Sequence, residues 1–318
     1  MNNKSRSTTQ KVLVICGPTA TGKTALGVRL AKTFNGEIIS ADSRQVYKGM
    51  NIATGKDIEE AEMVDGTWHI KGIPIHLLDI KEPTEEFSIS EYEELAEARV
   101  KKILAVDKLP ILLGGTGFYI KAITNEIETI NIPPNPELRK KYERKTADEL
   151  YVLFHKLDPA FAEALNFSER KNKQRLIRRL EIAQSGKSLS EIKPNTNYDF
   201  LIICLNCDPV VLKGKIFERI NKMFANGAKH EVEKLLKMGL SWKSQSMTAI
   251  GYKLWQPFFE GKKTEEEVLL DWKNREWAYA TNQITWFKKI NAVHWFDITK
   301  EDFERDVEDL VASWYNPS

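Results

Sequence analysis

Eight residues, Gly17-Pro-Thr-Ala-Thr-Gly-Lys-Thr24, constrain this chain more than any other stretch. They follow an apolar run of strand length, Lys11-Val-Leu-Val-Ile-Cys16, and precede the helical pattern Thr24-Ala-Leu-Gly-Val-Arg-Leu-Ala-Lys32. A strand, a glycine-bounded turn of the form G-x-x-x-x-G-K-[ST] and a helix, in that order, make a phosphate-binding loop. Backbone N–H groups of the turn and of the helix N-terminus converge on one anion. The Lys23 ammonium adds a point charge, the Thr24 hydroxyl can hold Mg2+, and Gly22 admits a close backbone approach. The candidate diphosphate- or nucleotide-binding residues are therefore Gly17, Pro18, Thr19, Ala20, Thr21, Gly22, Lys23 and Thr24, with Thr24 as the metal ligand. A nucleoside triphosphate and a diphosphate ester fit such a cradle equally well.

The rest of the chain extends this start. Glu37-Ile-Ile-Ser40 reads as a second strand, Ile75-His-Leu-Leu-Asp-Ile80 as a third and Leu109-Pro-Ile-Leu-Leu113 as a fourth, with helical periodicity over Ser90–Val106. Strands alternating with helices argue for right-handed crossovers and a parallel sheet. After the stiff connector Asn131-Ile-Pro-Pro-Asn-Pro136 the pattern is helical to about Lys193, and Phe200-Leu-Ile-Ile-Cys-Leu205 returns to strand character. From Pro209 onward the reading is mostly helical. The expected fold is α/β: a P-loop NTPase-like parallel sheet flanked by helices, with an inserted all-helical domain. The segments are 11–125, 126–197 for the insertion, and 198–318.

Charge is distributed unevenly although 47 basic and 45 acidic residues leave a net charge of only +2. Asp57–Asp107 holds 14 acidic and 5 basic residues, whereas Arg139–Arg179 holds 12 basic and 6 acidic. A basic segment beside an acidic one fits a polyanion partner on one face. The longest apolar runs fall far short of the ~20 residues of a membrane span. The polar start Met1–Gln10 is not a secretion signal, and three cysteines suit a reducing compartment, so a cytoplasmic protein without a membrane is expected. Cys204-Leu-Asn-Cys207 lacks the second ligand pair of a zinc site and reads as structural, and the five histidines have no metal spacing. Trp272, Tyr279 and Trp286, seven apart, read as a core stripe rather than a base-stacking platform.

A second chemical signal lies at the strand ends. In a parallel sheet these ends rim the ligand crevice, so Asp42 and Thr116 (in Gly114-Gly-Thr-Gly117) should face the same cleft as Lys23. A carboxylate and a hydroxyl opposite a phosphate cradle suit an acceptor whose proton is taken as a phosphate-bearing group leaves. The plainer alternatives are a helix N-cap for Asp42 and a tight turn for the glycines.

Eight blocks, in order, carry a resemblance: Gly17–Thr24, Gly36-Glu-Ile-Ile-Ser-Ala-Asp-Ser-Arg-Gln-Val-Tyr-Lys-Gly-Met50, His76-Leu-Leu-Asp-Ile80, Pro110–Tyr119, Gln174-Arg-Leu-Ile-Arg178, Phe217-Glu-Arg-Ile-Asn221, Ala249-Ile-Gly-Tyr252 and Gln283-Ile-Thr-Trp-Phe287. From about residue 11 to 296 the chain resembles the tRNA dimethylallyltransferase family. The resemblance implies transfer of a dimethylallyl group from dimethylallyl diphosphate to N6 of the adenosine 3′-adjacent to the anticodon, with Mg2+ and a monomeric enzyme. It implies Asp42 as the base and Thr116 as its orienting partner. Asp42, Ser43, Arg44, Gln45 and Thr116 would line the base pocket, and Arg139, Gln174, Arg175, Leu176, Ile177 and Arg178 would touch the anticodon arm. Two positions depart from the family pattern: Thr281-Asn282 stand where members often carry a basic pair, and Arg44 where many carry an apolar residue. Both mark where a divergent paralogue would differ. From the phosphate loop and Asp42 alone, an adenylate isopentenyltransferase, a P-loop kinase acting on a small nucleotide, or a nucleotide-dependent RNA-binding switch stays open. The basic insertion favours a macromolecular acceptor.

Overall fold

A computed structural model describes residues 9–56, 58, 60–126, 132–186 and 193–316. Most of the polar start, residue 131 of the connector and residues 187–192 of the stretch read as helical lie outside them. The chain sorts into two compact units, one of Met1–Thr124 with Thr196–Ser318 and one of Asn125–Asn195.

The larger unit is organised by strands that are apolar on both faces. In β1 (Gln10–Cys16), Val12, Val14 and Cys16 enter one core while Leu13 and Ile15 enter another. β6 (Leu109–Gly114) and β9 (Tyr198–Asn206) divide in the same way, Leu112 and Cys204 to one side and Ile111 and Ile203 to the other. That division is what a central strand covered by helices on both faces requires. With β2 (Gly36–Ser40), β3 (Ala61–Val64), β4 (Thr67–Ile70), β5 (Ile73–His76) and β10 (Val293–Asp297) they form an eight-stranded sheet in the order β10-β9-β1-β6-β2-β5-β4-β3. The helices of this unit are α1 (Lys23–Thr33), α2 (Ile89–Leu104) and α3 (Gly117–Thr124), then, after the insertion, six more. The fold is the P-loop NTPase-like α/β architecture.

Three features correct the sequence reading. The sheet is parallel from β10 to β5, but β3 and β4 add an antiparallel edge. Its turns, Asp65-Gly66 and Lys71-Gly72, all take positive φ, as two-residue hairpin turns require. The third strand stops at His76 instead of reaching Ile80, because Leu77 and Asp79 adopt left-handed φ of 61° and 55°. β10 lies within a region read as mostly helical and pairs in parallel with β9.

In the smaller unit α4 (Pro136–Tyr142), α5 (Ala147–Leu157), α6 (Pro159–Glu163), α7 (Phe167–Arg170) and α8 (Lys173–Gln184) surround Leu150, Phe154, Leu165, Leu176 and Leu180. Side chains cap these helices: Thr146 and Glu149 form a reciprocal box on α5, as do Asn166 and Glu169 on α7. The unit is not wholly helical. A two-strand ladder of β7 (Asn125–Glu126) and β8 (Lys193–Pro194) joins its two ends. The chain must leave and return at one place, and pairing there satisfies backbone groups that helices cannot.

After the insertion come α9 (Pro209–Ala225), α10 (Ala228–Lys237), α11 (Ile250–Lys253), α12 (Gln256–Phe259), α13 (Glu265–Phe287) and α14 (Phe303–Tyr315). No helix among the described residues is long and apolar enough to cross a membrane.

Candidate active site

The phosphate loop connects β1 to α1 through backbone conformations that few residues tolerate. Gly22, directly before α1, sits at φ 77°, where a Cβ would be strained even in open space. No side chain caps α1 and its first turn holds no acidic residue, so no carboxylate of its own competes with an anion for the positive dipole end. Lys23 Nζ donates to the Pro18 carbonyl at 2.7 Å, as does Thr21 Oγ1 at 2.9 Å. Burial and the neighbouring Arg219 guanidinium lower the Lys23 ammonium to about 8, with Asp42 pulling the other way. An arriving anion would replace the missing hydration and restore the charge.

Asp42 and Thr116 stand at the C-terminal ends of β2 and β6. The N–H of Ala41 donates to Leu113 O at 2.7 Å and that of Thr116 to Ala41 O at 3.1 Å, which ties the two ends together. Gly114 is required there, since a Cβ would collide with the Ala41 backbone. Thr116 Oγ1 accepts the N–H of Ser43 at 3.0 Å. Asp42 caps no helix: it closes a turn, with Oδ1 accepting the N–H of Arg44 at 2.9 Å. Arg44 donates to Gln245 O at 3.2 Å and Thr248 Oγ1 at 3.0 Å, and Gln45 Nε2 donates to Gly55 O at 3.1 Å.

These groups line one cavity of about 890 Å³, with Thr19–Thr24 on one side, Asp42–Gln45 and Thr116 on another, and α9 and α13 as the remaining walls. α9 contributes Arg219, which donates to Thr19 Oγ1 and to Gly55 O, each at 2.7 Å. α13 contributes Gln283, whose Oε1 accepts the N–H of Thr19 at 3.1 Å and whose Nε2 donates to Gly115 O at 2.8 Å. Glu276 of α13 lies in the same wall, and burial together with the charge of Asp42 raises its carboxyl to about 7 against the opposing pull of Arg219. Roles for Arg219, Glu276 and Gln283 were not read from the sequence. Two of them fall in blocks that carried the resemblance, Phe217–Asn221 and Gln283–Phe287, and that was the available signal.

The seven-residue stripe divides. Trp272 is core, 1% exposed, but Tyr279 is 37% exposed and it and Trp286 line the cavity. A period of seven on a straight 3.6-residue helix drifts in angle, so one stripe passes from the core onto the cleft wall. Trp286 lies where a Cβ at Gly117 would strike its ring, and Tyr279 interacts with the Thr116 hydroxyl. Thr281 and Asn282 follow on this helix, Asn282 lining the cavity without adding charge. The cysteines Cys16, Cys204 and Cys207 are buried and unpaired.

The residues expected to touch the anticodon arm all belong to the smaller unit. Gln174 and Arg175 are exposed in the first turn of α8, where Asn172 Oδ1 caps the Arg175 N–H at 3.1 Å. Leu176 is 0% exposed and packs in that unit's core, so its side chain serves the fold rather than the surface. Ile177 packs partly against the same core. Arg139 and Arg178 converge on the buried Glu181: Arg139 Nε donates at 2.7 Å and Arg178 Nη1 at 3.3 Å, while Arg178 Nη2 reaches Ile132 O at 2.8 Å. These two arginines therefore carry internal bonds, whatever else they touch.

The chain is similar to known proteins along nearly its whole length. The IPP transferase family model matches residues 45–290, and the isopentenyl transferase model residues 10–74. A tRNA dimethylallyltransferase of Anoxybacillus flavithermus is 40% identical over 95% of both chains, and that of Geobacillus thermodenitrificans 38% over 95% of both. Among solved structures, the tRNA isopentenylpyrophosphate transferase of Bacillus halodurans superposes with a TM-score of 0.69 at 34% identity, covering 96% of each chain. A eukaryotic dimethylallyltransferase acting on tRNA superposes with a TM-score of 0.80 at 27% identity, over 96% of this chain and 78% of the other. With a family model matched across most of its length and relatives this similar end to end, the chain belongs to the tRNA dimethylallyltransferase family of prenyltransferases.

Proposed function

We propose that this protein transfers the dimethylallyl group of dimethylallyl diphosphate to N6 of the adenosine 3′-adjacent to the anticodon of tRNA, releasing diphosphate. The observation that carries the reading is the meeting of Lys23, Asp42, Thr116 and Arg219 around one cavity of about 890 Å³, roomy enough for a prenyl diphosphate beside a flipped base. Adenine N6 is a weak nucleophile because its lone pair is delocalised into the ring. As that pair attacks the terminal allylic carbon, the carbon–oxygen bond to diphosphate breaks and the N6 proton passes to the Asp42 carboxylate. General-base help of this kind is worth ~10²–10⁴ in rate. Thr116, anchored to Ser43, orients the base, and Ser43, Arg44 and Gln45 line its pocket.

Negative charge develops on the leaving diphosphate. Thr19–Gly22 and Lys23, with the N-terminus of α1, would meet it in the cavity, and Arg219, bonded to Thr19 Oγ1, adds a second cation. The Thr24 hydroxyl would hold Mg2+ together with oxygens of the bound diphosphate, and the ion would neutralise charge on the leaving group. Among the described residues no group of three His, Cys, Asp or Glu side chains could hold a metal ion.

Arg139, Gln174, Arg175, Ile177 and Arg178 of the basic helical unit serve the anticodon arm, the arginines through phosphates and Gln174 through a splayed base. The acting unit is proposed to be a monomer, and a tRNA substrate fits a cytoplasmic enzyme. The test is incubation with labelled dimethylallyl diphosphate, unmodified bulk tRNA and AMP. Label entering tRNA at the adenosine beside the anticodon supports the reading, and label entering AMP instead refutes it.

A further inference from the structure

The turn of residues 50–56 has neither helix nor strand to hold it, yet it meets both halves of the site. Its Gly55 carbonyl accepts the Arg219 guanidinium at 2.7 Å and the Gln45 amide at 3.1 Å. Arg219 also reaches the phosphate loop at Thr19, and Gln45 belongs to the base pocket. One carbonyl oxygen therefore bonds both Arg219 and Gln45.

The first half of this turn is held by a carboxylate from α10. Glu231 Oε1 accepts the N–H of Asn51 at 2.6 Å and of Ile52 at 2.9 Å, and Oε2 accepts the N–H of Ala53 at 3.0 Å and the Tyr252 hydroxyl at 2.6 Å. Three successive backbone N–H groups closing on one anion form a nest, here filled from within the protein. The far end of the turn is held as well: Lys56, buried, donates to Tyr47 O at 2.5 Å and pairs with Asp79, which also accepts Trp68 Nε1 at 2.8 Å.

We infer that Glu231 is a positioning residue of the transfer reaction: by holding Asn51–Ala53 it places the Gly55 carbonyl, and through it both Arg219 and Gln45. The inference rests on the prenyl-transfer reading, because Arg219 and Gln45 serve one reaction only if donor and base meet in this cleft. Charge-assisted bonds to backbone N–H groups are about twice as strong as neutral ones, so an uncharged substitute holds the turn less firmly. A residue that merely stabilised the fold would change the folded fraction and leave the constants of folded molecules alone.

The experiment compares Glu231→Gln, Glu231→Asp and Tyr252→Phe in the full chain, with concentrations corrected for folded protein. In Glu231→Gln, kcat/KM should fall ~10–100-fold toward both dimethylallyl diphosphate and tRNA, since one amide oxygen cannot serve three N–H groups. Glu231→Asp keeps the charge with a shorter reach and should fall between, and it carries the test if the Gln variant does not fold. Tyr252→Phe, which leaves the carboxylate on the turn, should stay within about threefold. The deciding measurement is a double-mutant cycle on the affinity for inorganic diphosphate. Glu231→Gln should weaken it ~10-fold in the wild-type background and by less than about twofold in Arg219→Ala, because the effect runs through that guanidinium. Equal losses in both backgrounds, or unchanged affinity and kinetics in Glu231→Gln, overturn the inference. A protein that couples Glu231 to Arg219 in this cycle but never prenylates tRNA overturns the function and retains the positioning.

Discussion

Gln283 Oε1 accepts the N–H of Thr19 at 3.1 Å across 264 residues of sequence, while its Nε2 donates to Gly115 O at 2.8 Å. A buried amide thus clamps the phosphate loop to the turn that carries Thr116. Gln283→Ala leaves both backbone groups without their partner, which should destabilise the protein by about 1–3 kcal/mol. It should also lower kcat/KM for dimethylallyl diphosphate at least ~10-fold. Thermal melts and donor kinetics on the same preparation check this, and a variant with normal donor kinetics would show that the clamp is structural only.

Asp42→Asn should slow transfer by ~10²–10⁴, or ~3–5 kcal/mol of barrier, with both substrates still bound. Asn can accept the Arg44 N–H through its own Oδ1, so the turn that Asp42 closes at 2.9 Å should survive. What Asn lacks is a site for the N6 proton. Single-turnover transfer at saturating tRNA and donor, beside separate binding titrations, decides the matter. A rate within threefold of wild type would remove Asp42 as the base.

Lys23→Ala should lose catalysis through weaker diphosphate binding and a poorer leaving group, with tRNA affinity little changed. ATP should not replace the prenyl donor as a reactant. Normal kcat/KM for dimethylallyl diphosphate in this variant would sink the assignment of the cradle.

The cavity wall predicts a pH effect. Glu276, raised to about 7, is neutral below that pH and charged above it. Its contribution to stability is complete below the ordinary glutamate value and is lost as pH rises through 7, so Glu276→Gln should gain stability over wild type at pH 8 more than at pH 4.5. The new charge also lines the same cavity as Thr19–Thr24, so the advantage of Glu276→Gln in binding inorganic diphosphate should grow between pH 6 and 8. Melts and titrations at the two ends of the range test both effects, and a constant ratio of affinities would rule out charge at Glu276 as the cause.

Arg175 and Arg178 should separate in their effects. Both substitutions to Ala should weaken tRNA binding, each lowering the log–log salt slope by roughly one. Arg178→Ala should in addition destabilise the helical unit, because Arg178 reaches Ile132 O at 2.8 Å and Glu181 at 3.3 Å, whereas Arg175 is exposed. Filter binding across salt concentrations, with melting curves, distinguishes the two. Unchanged tRNA affinity in the double variant would make the basic stretch a solvated surface only.

Much of the donor side was legible in the residues themselves, because it is local. The β1 run, the left-handed Gly22 and the uncapped α1 depend on neighbours in the chain, so one motif specifies them together. Asp42 and Thr116 were legible for a related reason: parallel strands end on one side of a sheet, whatever lies between them. The antiparallel edge rests on two turns at positive φ, Asp65-Gly66 and Lys71-Gly72, and the Asp-Gly pair is a hairpin signal that the βαβ reading passes over.

The remaining walls were decided by tertiary structure alone. Arg219 meets Thr19 across 200 residues, Gln283 meets it across 264, and Glu231 meets Asn51 across 180. Each sits on an amphipathic helix whose periodicity announces a buried face without saying what it is buried against. Tyr279 shows the same limit: the drift of a seven-residue period turns it away from Trp272, but that this side of α13 faces a cleft is decided by where the helix docks. A helix reports its own geometry in its sequence, but the partner of a side chain is set by how helices pack, and that is a property of the whole fold.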